Sequence, residues 1–124
     1  MISIKTSTME FVSLLTKVVS NVFPQAAVAG TKLPFIIYRR NTISNLNSKD
    51  SVYQSDISFD IDIVTESYMD GLEYLDSLLN KLQRVSIDNP TYNYRITIDS
   101  VADMFDEQQE LFIQRVGCTL QVSR

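Results

Sequence analysis

YQSDISFDIDIVTESYMDGLEYLDSLLNKLQR, residues Tyr53 to Arg84, reads as one alternating strand followed at once by one amphipathic helix. From Tyr53 to Thr65 the odd positions hold Tyr53, Ile57, Phe59, Ile61 and Ile63, and the even ones hold Gln54, Asp56, Ser58, Asp60 and Asp62. That is the period of two expected of a strand with one buried face. Ser67, with Asp70 three residues on, opens a helix whose Tyr68, Leu72, Leu75, Leu79 and Leu82 recur at helical spacing. This stretch is expected to be the spine of the domain, with the leucines in the core and Asp56, Asp60 and Asp62 together on the other side of the strand.

Upstream, Ser7 and Glu10 have the spacing of a capping box, so a first helix is expected to start there. Phe11, Leu14, Leu15, Val18, Val19 and Val22 form its apolar stripe, and Phe23-Pro24 ends it, because the residue before a proline is pushed out of helical geometry. Gln25 to Pro34 mixes small residues with Gly30 and Pro34 and reads as irregular, with at most a short extended piece. Phe35 to Ser44 reads as a strand, but Phe35, Ile36, Ile37 and Tyr38 put apolar groups on both of its faces. The turn-forming run from Asn45 to Ser51 is expected to be a long hairpin loop, with Asn45, Asn47, Ser48, Lys49 and Asp50 exposed to a partner.

Downstream, Asp88-Asn89-Pro90 is a turn signal, and Tyr94, Ile96 and Ile98 then alternate with Arg95, Thr97 and Asp99 as a third strand. Asp106 to Gln109 is a polar connection into a last strand, Leu111 to Val122, in which Val116, Cys118, Leu120 and Val122 share one face. Leu111 and Ile113 fall in the opposite phase. Either a bulge shifts the register near Gln114 or the start of this strand meets something on its second side. The expected fold is α+β: one domain over residues 1–124, in the order helix-strand-strand-helix-strand-strand. Its sheet is mainly antiparallel and four-stranded, with both helices on one face. The last strand inserts between the second and third, so that the helical crossover joins two parallel strands.

A chain of 124 residues, 44% hydrophobic and 21% charged, has the composition of one folded domain. Its net charge of −4 provides no basic stripe, so specific nucleic-acid binding is not expected. With no His and one Cys, Cys118, neither Ser-His nor Cys-His catalysis nor a Cys-based zinc site can be built. The amino terminus does not read as a secretory signal, and the apolar run Leu33 to Tyr38 is too short to span a bilayer. Synthesis in a cytoplasm and no membrane partner are the expectations.

Asp60 and Asp62, two apart on one strand face, could hold a divalent ion or act as the carboxylate pair of a hydrolase. A solvated or interfacial sheet face accounts for the same pattern, with Arg95 or Arg115 on neighbouring strands pairing with these carboxylates. Arg39 and Arg40, adjacent in a strand, point to opposite faces and cannot clamp one anion together. Tyr92, Tyr94, Phe105 and Phe112 either form a recognition patch or close the core. Cys118, in the apolar phase of its strand, is expected to be inert, and Gly30, Gly71 and Gly117 are too scattered for a phosphate loop. No cofactor is expected.

The segment Leu33-Pro34-Phe35-Ile36-Ile37-Tyr38, the polar hairpin after it, the strand Ser58 to Val64, the helix opening at Ser67-Tyr68-Met69-Asp70-Gly71 and the closing strand Leu111 to Val122 together carry a resemblance. Over residues 31 to 122 the chain resembles the tail terminator or tail-completion proteins of long-tailed bacteriophages. The resemblance implies a non-enzymatic virion subunit, made in the bacterial host cytoplasm, that forms a hexameric ring. Such a ring caps the tail tube, ends its elongation and presents a joining surface to the head connector. Phe35, Tyr38, Leu111 and Ile113 would then meet a neighbouring subunit, and Asp56, Asp60 and Asp62 would line the channel. The alternatives from other classes are a small carboxylate-based or ion-binding hydrolase and a monomeric cytoplasmic adaptor using the Asn45 to Ser51 loop.

Overall fold

The computed structural model describes residues 3–27, 30–47, 52–83 and 92–123. In chain order these form α1 (Ile4–Thr16), β1 (Val22–Pro24), β2 (Phe35–Asn47), β3 (Val52–Thr65), α2 (Tyr68–Gln83), β4 (Asn93–Asp106) and β5 (Leu111–Ser123). The strands make one sheet in the order β1-β2-β3-β5-β4. β5 does insert between β3 and β4, and since it is antiparallel to both, the strands joined through α2 run parallel. The α+β class holds, but the sheet is five-stranded and mixed rather than four-stranded and antiparallel, because β1 pairs in parallel with β2.

That correction begins in the first helix. Its N-cap is Ser3, whose hydroxyl accepts from the Thr6 amide at 3.1 Å, and not Ser7, which lies buried one turn inside with its hydroxyl donating to the Ser3 carbonyl at 2.8 Å. The helix ends at Thr16, well short of Val22. Val22 takes extended geometry instead because its backbone is captured by the edge of β2, in register with Ile36. A β-branched residue on a helix-like spacing therefore went to the sheet. Ser67 is the start signal it was expected to be, with the Asp70 amide donating to its hydroxyl at 3.4 Å.

Both helices pack on one face of the sheet. Phe11 and Leu15 from α1 and Leu75, Leu78 and Leu82 from α2 meet Ile57, Phe59, Ile61 and Ile63 of β3 and Val116, Cys118, Leu120 and Val122 of β5 in one buried cluster. At its centre the rings of Phe11 and Phe59 stack at 4.2 Å. The buried line of α2 runs through Gly71, Leu75, Leu78 and Leu82, so it is rotated from the stripe read in the sequence and leaves Tyr68 exposed. Gly71 is needed there: a Cβ would come within 3.0 Å of Thr65 Oγ1, where the helix crosses the sheet. Among the described residues no helix is long and apolar enough to cross a membrane.

The hairpins differ from expectation in length. β2 continues through Asn45 to Asn47, with the Ser55 hydroxyl donating to Asn45 Oδ1 at 2.6 Å, so these two residues are strand and not loop. Ser48, Lys49 and Asp50, and the turn at Asp88-Asn89-Pro90, lie outside the described residues. β4 runs on to Asp106, well past the alternating Tyr94 to Ile98. The pairing of β5 with β3 is unbroken from Ser123 to Phe112, so no bulge lies at Gln114. The bulge is in β4, between Ile98 and Ser100, opposite Gly117. A Cβ on Gly117 would lie 2.7 Å from Ser100 Oγ, which explains a glycine in mid-strand.

Candidate functional site

Directly opposed residues share a face of a sheet, so the register fixes what stands on the side without helices. One cross-strand row is Phe35, Val64, Ile113 and Met104, the next is Ile37, Asp62, Arg115 and Ala102, and the third is Arg39, Asp60, Gly117 and Ser100. The open face is thus apolar at one end and charged beyond it. Val64 is only 4% exposed although no helix covers it, because Phe35 and Ile113 flank it on the neighbouring strands.

The three carboxylates of β3 do project together from this face, yet their environments differ. Asp62 is 5% exposed. Arg115 donates to it from Nε at 2.7 Å and from Nη2 at 2.9 Å, and Arg39 donates from Nη2 at 2.7 Å. Burial by itself pushes the Asp62 carboxyl up, but the hydrogen bonds and positive charges of Arg115 and Arg39 together outweigh it and hold the group below its ordinary value. The same contact raises Arg115. Asp56 is half-buried and accepts from Gln54 Nε2 at 3.2 Å.

This arrangement suits a structural ion-pair cluster. A carboxylate held ionised by two guanidinium groups is the opposite of a general acid, which needs a raised proton affinity, and its lone pairs are already taken by N–H donors rather than turned toward a cation. Among the described residues no three acidic or thiol side chains converge on a point where a metal ion could be held. Arg115 is the partner the sequence suggested. Arg39 was missed, because β2 had to be in register with β3 before its pairing became visible. Cys118 is buried, and desolvation pushes its thiol up to about 12, which leaves it without a reactive thiolate at neutral pH.

Of the residues expected at an oligomer surface, Phe35, Leu111 and Ile113 lie at the apolar end of the open face. Tyr38 does not join them: it is on the helix side, edge-on to Phe59 with ring centroids 6.4 Å apart. The aromatic group divides similarly. Tyr92 and Tyr94 pack against the core, with the Ser3 amide donating to the Tyr92 hydroxyl at 3.0 Å. Phe105 and Phe112 stand 4.9 Å apart near the end of the β4–β5 hairpin, and Tyr68 adds a third ring 5.7 Å from Phe112.

That hairpin end entered the sequence reading only through Phe105 and Phe112, as one of two readings of the aromatic group. From Asp99 to Phe105 β4 is exposed on both faces, with Val101 45%, Met104 40% and Phe105 51% exposed. The available signal was Met104-Phe105, an apolar pair that puts one side chain on each face. The turn is well built, since the amides of Gln108 and Gln109 both donate to Asp106 Oδ1, at 3.0 and 3.2 Å. Between this turn and the segment before β2 lies an open cleft of about 400 Å³, bordered by Leu33, Phe35, Gln109 and Leu111.

No family model and no curated protein matches this chain. Solved structures share its fold. A chain in the virion of the native gene transfer agent particle superposes with a TM-score of 0.69 at 9% identity, over 95% of this chain and 92% of its own length. The gp17 protein of bacteriophage SPP1 superposes with a TM-score of 0.52 at 10% identity, over 97% and 86%. At such identities the likeness is one of fold.

Proposed function

We propose that this chain is a structural subunit of a phage-type tail: a terminator that caps the tail tube as a hexameric ring, ends its elongation and offers a joining surface to the head connector. The observation that carries the reading is the near end-to-end likeness of fold to a chain of a gene transfer agent virion. The resemblance of residues 31–122 to tail terminator proteins, read from sequence, points the same way. An apolar row left open on the helix-free face supports association, since such a patch on a soluble domain calls for a partner.

In the ring, the channel lining presents Asp56 and Asp60, because Asp62 is paired with Arg39 and Arg115, and these five groups together carry −1. Like charge along that lining keeps passing DNA from sticking. The virion is the site of action, and the self-contact, the tail tube and the head connector are the partners. Electron microscopy of tails assembled with and without the chain tests the reading. Tails of uniform length, closed at one end, are expected only when it is present, and equal length distributions in both preparations would overturn it.

A further inference from the structure

The sheet has two open edges. β4 is the last strand in the order, and among the described residues no strand lies on its outer side. At the other edge β1 covers β2 only over Ile36 to Tyr38, so β2 is open from Arg39 onward. Both open stretches stand in solvent on both faces: Asp99 to Phe105 of β4, and Arg40, Asn41, Thr42, Ser44, Asn45 and Leu46 of β2. The Ile36 amide donates outward to the Asn21 carbonyl, and the Tyr38 carbonyl accepts from the Gln25 amide. By the period of two, the amide and carbonyl of Arg40 point outward as well. An edge of this kind is a template for one more strand.

Charge and strand direction say which strand fits. On the helix-free side Arg39 is already balanced by Asp62, so that side selects nothing. On the helix side the three cross-strand rows from Ile36 to Arg40 hold two charges, Arg40 at the β2 edge and Asp103 at the β4 edge, and everything between them is uncharged. Pairing β4 with β4 about a two-fold axis would set the aspartates of residues 99–106, three with no Lys or Arg among them, against the same three, and pairing β2 with β2 would set Arg40 beside Arg40. Only β4 against β2 brings opposite signs together. The directions agree: β2, β3, β5 and β4 alternate, so a second copy set beside the first in the same orientation offers β4 antiparallel to β2. We propose that residues 99–105 of β4 pair antiparallel with residues 40–46 of β2 in a second copy, with Asp103 reaching Arg40, so that one sheet continues from copy to copy with all helices on one side. The contact is heterologous. It supplies the subunit contact of the proposed ring and rests on that reading only for closure.

The test uses the full chain with Arg40→Asp and Asp103→Arg, both at exposed positions, singly, mixed and combined in one chain. Light scattering over a concentration series should show an assembly for the wild type and self-association weaker by about tenfold or more for each single variant. An equimolar mixture of the two should assemble again in alternation, because every contact in it then joins an Asp to an Arg, and the chain carrying both changes should assemble by itself. Within the assembly the Arg40 amide should exchange with deuterium at least about tenfold more slowly than in the single variants. Folded single variants that assemble like the wild type, or a mixture no stronger than its components, overturn the contact while leaving the ring standing. An assembly whose Arg40 amide exchanges as it does in the single variants overturns the edge pairing too. Open chains that the single variants abolish keep the contact and end the ring. A wild type that stays monomeric throughout overturns the contact.

Discussion

The two halves of the β4–β5 hairpin share one pair of strands, yet they have different environments. In the near half Tyr94, Ile96 and Ile98 alternate with exposed residues, and their partners Val122, Leu120 and Cys118 are buried under the helices. In the far half the same strand shows no alternation, and Val101, Met104 and Phe105 stand in solvent. The change falls at the bulge opposite Gly117; beyond it β5 stays buried at Val116 and Gln114, and it is the edge strand β4 that stands in solvent. Strand pairing alone therefore does not make a core. It takes a second layer, and where that layer does not reach, the strand is left in solvent.

The largest test of this contrast lies in the covered half of the sheet. Phe59→Ala removes the ring stacked on Phe11 and is expected to lower the unfolding free energy by about 3–5 kcal/mol in a urea titration. Asp62→Asn comes next, at about 2 kcal/mol. It leaves two guanidinium groups facing a neutral amide, and the loss is smaller than for a fully buried pair because the Arg39 and Arg115 side chains are 28% and 37% exposed. Because the Asp62 carboxyl is held below its ordinary value, it contributes stability above about pH 4 that is lost as pH falls through the folded-state value. The acid limb of a stability–pH curve below about pH 4 should accordingly flatten in the Asn variant.

Two smaller effects sharpen the comparison beyond the bulge, one on β5 and one on β4. Gln114 is 1% exposed, and its side-chain oxygen and nitrogen are both buried without a hydrogen-bond partner, so Gln114→Met is expected to raise the midpoint of thermal unfolding by an amount equivalent to about 1 kcal/mol. Phe105→Ser in the far half should change the stability of the folded chain by no more than about 0.5 kcal/mol. A core-like loss on Phe105→Ser would mean that the far half of β4 is packed against its own chain as tightly as the near half.

Much of the candidate site could be read along the chain, because it depends on local periodicity. Asp56, Asp60 and Asp62 were bound to share a face once Ile57, Phe59, Ile61 and Ile63 were buried, whereas the face of Leu111 and Ile113 stayed open between a bulge and a second-side contact until the unbroken β3–β5 pairing placed them opposite Val116. What the periodicity could not give was the neighbour across the ladder. Arg39 is 23 residues from Asp62 and meets it only through the register of β2 on β3. Tyr38 went to the helix side for the same reason, being paired with Ile61.

By itself the sequence determined the α+β class, the order of the long elements and which face of β3 is charged. Each follows from a period of two or 3.6 and from the polarity of the residues that obey it. Only the tertiary structure decided that the first helix stops at Thr16, that Val22–Pro24 joins the sheet in parallel, that the bulge sits in β4, and that the far end of the hairpin is bare on both faces. Those outcomes depend on which backbone edges are free and how far the helices reach. Both are set by contacts between residues distant in the chain, which no local pattern records.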